Sequence, residues 1–350
     1  MRTLTDPARA MVQTLDPAPP PRLLIGEAAL ALWRLARPEI WLVSLVPMVV
    51  GHLLATREIA PGFGAWLAFW SRASTEGATT SEFLATLVGW LQDAWPFLLA
   101  AVVMGPLVWL ATLLVNDVHD LAGDRLNPRK ARSPLVQGIV TAGWARATAR
   151  LAGASALALA LLVNVEFAAL VAGALALAWA YSAPPLRLKT RPGADVLVNA
   201  MGVGGLAGLA GWSVARPLAE APWLFMPQAL LVAAAVYVPT TLVDYDADVR
   251  AGYATFATKL GRDRAYRVGF ACWVAANLGA LGFAWTGTII PRAMFPLLAI
   301  FAPLLVWQYH TFIGHARDGP EMVKGIVLAS LTFLAVNLVF ALMYTGLWRG

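Results

Sequence analysis

Charge is scarce in this chain. Asp, Glu, Lys and Arg supply 13% of its 350 residues, about half of what a soluble domain carries, and that shortage excludes a water-soluble globule. Cysteine is nearly absent too: Cys272 stands alone inside an apolar run, so no intrachain disulfide can form. Residues 1 to 25 lack the apolar core and cleavage pattern of a secretory signal. With Asp6, Asp16 and the run Pro19 to Pro21, the stretch 1–33 is expected to form a mobile cytoplasmic tail.

What the chain has in abundance is hydrophobic sequence, 59% of its residues. Runs suited to spanning a bilayer, which needs about 20 residues, fall near 39–56, 96–116, 147–164, 166–182, 194–215, 222–243, 266–287, 292–309 and 324–347. The expected fold is therefore all-α, an integral membrane protein of nine transmembrane helices packed in one bundle, with residues 34–350 as a single domain.

The net charge of +6 has a use other than nucleic acid, because Lys and Arg collect on the cytoplasmic side of membrane proteins. With nine spans and an inside amino terminus, 21 of the 26 bases fall on that side; Arg57, Arg72, Arg216, Arg292 and Arg349 are left outside. The expected setting is the cell membrane, with no nucleic-acid partner. Segment 57–95 is too long for a hairpin turn, and Phe83, Leu84, Leu87, Val88 and Leu91 recur at helical spacing. An amphipathic helix on the outer surface fits that pattern.

Two acidic clusters end spans on the same side. The second span closes in Asn116-Asp117-Val118-His119-Asp120-Leu121-Ala122-Gly123-Asp124, and the sixth in Asp244-Tyr245-Asp246-Ala247-Asp248. In a helix Asp117, Asp120 and Asp124 share one face, as do Asp244 and Asp248, while Asp246 and His119 point elsewhere. Crowded carboxylates repel, and something must neutralise them. Mg²⁺ prefers carboxylate oxygen and commonly combines a few such ligands with phosphate oxygens of a substrate. The clusters thus describe a diphosphate site, and the segment Tyr181 to Lys189 between them supplies Arg187 and Lys189, side chains of the kind that bind phosphate.

These residues resemble the UbiA-type intramembrane prenyltransferases. Asn116 to Asp124 is similar to that family's N-D-x-x-D-x-x-x-D, Asp244 to Asp248 to its second D-x-x-x-D, Arg37-Pro38 to the Arg-Pro opening its first span, and Gly252 with Thr255 to its G-x-x-T ending. The resemblance runs from about Arg34 to the last span. It implies nine helices around a lipid-open central cavity, with Mg²⁺ held by Asp117, Asp120, Asp124, Asp244 and Asp248. It also implies a polyprenyl diphosphate bound with help from Asn116, Lys130, Arg132, Tyr181, Arg187 and Lys189. The implied activity is transfer of the polyprenyl group to a hydrophobic acceptor, aromatic or tetrapyrrole.

The match has departures. Arg132 is displaced by one residue from the arginine of the family's Arg-Pro followed by Pro-Ser-Gly, and segment 57–95 resembles an addition. Tyr181 to Lys189 is most similar to chlorophyll and bacteriochlorophyll synthases, but Asn127-Pro128-Arg129-Lys130 differs from their Asn-Glu-Pro. Quinone-precursor enzymes, carotenoid elongases and terpene cyclases of this type stay open. So does cation transport, which acids in membrane helices often mark, although both clusters sit at span ends rather than at the midplane typical of transporters.

Overall fold

The computed structural model of the protein describes residues 25–125, 127, 130–316 and 318–347. The first 24 residues of the expected tail lie outside the described residues, as do Pro128, Arg129, Arg317 and Arg349. From Ile25 the chain is helical, so the tail expected to reach residue 33 gives way earlier. Helix α1 (Ile25–Ala36) sets Ala31 and Leu35, one turn apart, against a small cluster that includes Leu114, Leu135 and Val140. Burial of that apolar face is what orders it.

Among the described residues nine helices are long and apolar enough to cross a membrane. They are α2 (Pro38–Thr56), α4 (Thr80–Asp124), α5 (Ala142–Val163), α6 (Val165–Ser182), α7 (Ala194–Ser213), α8 (Phe225–Val243), α11 (Arg262–Thr286), α12 (Arg292–Ile313) and α13 (Gly319–Tyr344). Short helices α3 (Phe63–Glu76), α9 (Tyr245–Ala251) and α10 (Phe256–Leu260) lie between them. The protein is a multi-pass, all-helical integral membrane protein.

The second span runs far beyond the expected 96–116. Helix α4 has 45 residues, about 68 Å at 1.5 Å per residue, more than twice the ~30 Å hydrocarbon core. It begins at a capping box: Thr79 Oγ1 accepts from the Glu82 amide, and the Glu82 carboxylate accepts from the Thr79 amide at 2.9 Å. Rings of Trp66 and Phe69 on α3 lie against Phe83, and Trp66 also meets Trp90. Segment 57–95 is therefore a helical hairpin built onto the first half of α4, stitched by aromatic contacts.

Small residues set the closest helix approach. A Cβ added to Gly51 on α2 would stand 1.8 Å from the Gly208 carbonyl oxygen, and one on Gly211 of α7 would stand 1.8 Å from that of Met48. Only bare backbone fits this seam. On the other side of the bundle, Tyr309 donates to the Ala235 carbonyl at 2.8 Å and Trp273 to the Leu305 carbonyl at 3.0 Å, joining α8, α11 and α12. Successive spans reverse direction, so the connections 125–141, 183–193 and 244–261 gather at one end of the bundle.

Candidate active site

A cavity of about 1010 Å³ opens at that end, walled by α2, α4, α6, α7, α8 and the three connections. The end of α4 contributes Asn116, Asp120 and Asp124; Asp244 and Asp248 face them from the α8–α9 junction. Lys130, Arg187 and Lys189 complete the rim, and Tyr181 stands deeper in the wall. Ten of the side chains named from sequence are thus in or beside one space, while Arg132 is exposed and is not part of the cavity wall. Its position in the connection turns it to solvent while Pro134 and Leu135 take the buried places.

Asp117 is set apart from the other acids. Its carboxylate is 2% exposed and does not line the cavity; it accepts from the Arg37 guanidinium at 2.6 Å and lies 3.6 Å from Lys130 Nζ, two bases that do line it. Asp117 shares a helical face with Asp120, and its carboxylate is taken up by Arg37 and Lys130 at the edge of the cavity. Arg37 itself reaches the cavity. It stands at the turn between α1 and α2 with a left-handed backbone (φ 45°).

Asp120 is held by two cations. Lys189 Nζ lies 2.5 Å from its Oδ2 and Arg187 Nη2 lies 3.2 Å from its Oδ1. Lys189 also donates to Asn116 Oδ1 at 2.9 Å, and Ser182 Oγ donates to the same oxygen at 3.2 Å. Lys130 approaches Asp124 at 3.5 Å. Burial pushes the Lys189 ammonium below the ordinary lysine range, and the neighbouring Asp120 charge works against that shift.

The second acidic segment departs from a single continuous helix. α8 stops at Val243, and Asp244 (φ −90°, ψ −4°) leads into α9. The Asp248 amide still donates to the Asp244 carbonyl at 2.9 Å, so the two residues keep one-turn spacing and both line the cavity. Asp246 projects outward and pairs with Arg262 at 2.9 Å. Gly252 ends α9 in a left-handed turn (φ 70°) and Thr255 caps α10. Tyr253 between them closes on α4, its hydroxyl only 2.5 Å from where a Cβ on Gly123 would stand. His119 is off the cavity and bonds the Val115 carbonyl at 2.8 Å.

Two residues that sequence reasoning missed organise the site. Asp195, 1% exposed, accepts from the amides of Gly193 (2.9 Å), Val196 (3.0 Å) and Phe256 (2.8 Å), pinning the α6–α7 connection to α10. The turn sequence Arg191-Pro192-Gly193-Ala194-Asp195 was the available signal, since an acid beside a turn glycine commonly captures local amides. Tyr237 on α8 forms a 2.7 Å hydroxyl pair with Tyr181 across the cavity wall. A lone tyrosine in an apolar run gave no such sign.

Among the described residues no three acidic, histidine or cysteine side chains converge as a ready-made metal cage. The donor set nevertheless fits Mg²⁺: hard carboxylate oxygens on two facing segments, beside cations that would meet phosphate. Mg²⁺ characteristically takes only one or two carboxylates and completes its shell with substrate phosphate and water.

Comparison with known proteins gives the same direction. Residues 44–334 match the model of the UbiA prenyltransferase family. The chain is 30% identical over 336 residues to a lycopene elongase/hydratase from Haloferax volcanii, covering 93% of this chain and 91% of that protein. It is 31% identical over 255 residues to a 4-hydroxybenzoate octaprenyltransferase from Cronobacter sakazakii, covering 72% and 82%. The structure of a UbiA homolog from Archaeoglobus fulgidus bound to GPP and Mg²⁺ superposes with a TM-score of 0.65 at 21% identity, over 90% of this chain and 99% of that one.

Proposed function

The chain belongs to the UbiA prenyltransferase family and is a membrane prenyltransferase; on that premise we propose that it transfers a polyprenyl group from its diphosphate to a hydrophobic acceptor, with Mg²⁺ held between Asp120, Asp124, Asp244 and Asp248. One observation carries this reading. Carboxylates from two separate segments and the bases Lys130, Arg187 and Lys189 line one end of a cavity whose deeper wall is uncharged and largely apolar. That division suits a substrate with a highly charged head and a hydrocarbon tail.

Mg²⁺, when bound, offsets the negative charge that grows on the diphosphate as the allylic carbon–oxygen bond breaks. The chain's own part is positioning and electrostatics. Lys189 and Arg187 face the leaving group as donors, their orientation fixed by Asp120 and Asn116. Apolar residues such as Val108, Leu177 and Val203 in the deeper wall exclude water from the allylic carbon. The placement of Lys and Arg along the chain supports a cell-membrane setting with this rim toward the cytoplasm.

The test is a panel of labelled prenyl diphosphates with aromatic, tetrapyrrole and polyene acceptors, run with Mg²⁺ and with chelator. Metal-dependent diphosphate release with a prenylated product is the expected result. A cyclic hydrocarbon formed from prenyl diphosphate alone would instead identify a cyclase, and turnover unaffected by chelator would overturn the metal assignment.

A further inference from the structure

Charge is distributed unevenly along the cavity wall. Its basic residues are Arg37, Lys130, Arg187, Lys189 and Arg250, and all lie at the end where the connections gather. Four of them are already matched: Arg37 with Asp117, Lys130 with Asp117 and Asp124, Arg187 and Lys189 with Asp120. Deeper in, among the described residues, the wall contains no Lys, Arg or His.

The polar groups of that deeper wall are uncharged and mostly occupied. Ser44 donates to the Met104 carbonyl at 2.9 Å and accepts from Trp109 at 2.8 Å. Thr240 donates to the Tyr237 carbonyl at 2.6 Å. Tyr237 and Tyr181 bond each other, seven residues or about 10 Å before the Asp244 level along α8. An acceptor seated beyond this tyrosine pair meets hydrocarbon and uncharged dipoles.

Resting on the prenyl-transfer reading above, we propose that the acceptor is an uncharged, hydrocarbon-like lipid, and that acceptors bearing a carboxylate are excluded because the inner wall offers no cation to receive one. A carboxylate moved there would give up its water without a partner. At the rim it would compete with the diphosphate for the same few cations, four of which already pair with acids. An apolar acceptor suffers neither penalty and gains from burial. Both acceptor types occur among the relatives, so the wall rather than the family decides between them.

The experiment uses the full-length protein in vesicles with a labelled prenyl diphosphate and Mg²⁺. Three acceptors are compared: an acyclic polyene, an aromatic hydroxy acid, and the methyl ester of that acid. Diphosphate release and prenylated product are followed separately. The expected result is transfer to an uncharged acceptor, with the ester competing at a concentration at least tenfold lower than the acid. Prenylation of the acid at a rate comparable to the uncharged acceptors, or equal competition by acid and ester, would overturn the proposal while leaving the transferase reading intact. No diphosphate release with any acceptor would remove both.

Discussion

The Asp117 carboxylate receives the Arg37 guanidinium at 2.6 Å, joining residues 80 positions apart at the edge of the cavity. This pairing separates Asp117 from its motif neighbours in kind. Asp120 and Asp124 line the cavity and pair with cations there, whereas Asp117 is buried and adjoins the cavity only through the bases it pairs with.

Replacing Asp117 by Asn should therefore release Arg37 without removing a metal ligand. The Mg²⁺ concentration for half-maximal activity is expected to stay within about twofold of wild type, while KM for prenyl diphosphate rises. Asp120→Asn should raise the Mg²⁺ requirement tenfold or more. An equal rise in both variants would make Asp117 a ligand after all.

Asp195 offers a test of the scaffold. Its carboxylate serves three backbone amides from two segments, and an unmet buried amide costs about 1–3 kcal/mol. Asp195→Ala should lower the thermal midpoint in detergent by several degrees and loosen α10 against α7, seen as faster amide exchange at Phe256. Unchanged exchange there would mean the pin carries no load.

The nine spans were legible because lipid imposes one simple rule, about 20 apolar residues per crossing, and the two acidic clusters because carboxylates at span ends contrast with everything around them. Three features were not legible. The extension of α4 back to Thr80 depends on a capping box in a segment too polar to read as a span. The burial of Asp117 against Arg37 is a pairing made by the bundle, and helical spacing alone cannot say which member of a face finds such a partner. Tyr237 acquires meaning only through Tyr181, 56 positions away. Patterns local in sequence were readable, and pairings made by the bundle were not.

The α2–α7 seam predicts a sharp contrast between glycines. Gly211→Ala and Gly51→Ala each place a methyl group 1.8 Å from a backbone carbonyl oxygen, an overpacking that backbone cannot absorb locally. Both should sharply reduce the yield of folded protein by size-exclusion chromatography. Gly64→Ala on α3 meets nothing within 4 Å and should be tolerated. Normal yield of Gly211→Ala would show that the two helices can separate at little cost.

Orientation is tested by labelling. In a Cys272→Ala background, cysteines at Asp246 and Arg262 are expected to react with an impermeant maleimide only from the cytoplasmic side, and one at Arg216 only from the opposite side. Labelling of Asp246 and Arg216 positions from the same side would break the alternation of spans on which the arrangement rests.

The last prediction concerns the division of labour between the two acidic segments. If Asp120 on α4 and Asp248 on α9 act on one diphosphate through bound Mg²⁺, then Asp120→Ala and Asp248→Ala should each lower kcat by a factor on the order of 100 or more, since each deletes charge aimed at the transition state. The double variant should then lose far less than the product of the two, because groups acting as a unit fail together. Asp246→Ala is the control: its carboxylate is largely exposed, turned away from the cavity and paired with Arg262, an exposed pair of the kind that contributes at most about 1 kcal/mol to stability, so activity should stay near wild type. Steady-state diphosphate release at saturating Mg²⁺ measures all four proteins. Multiplicative losses in the double variant would mean that the two segments serve separate steps, and a large loss at Asp246 would mean that the junction at Asp244 turns during turnover and presents a different face to the substrate.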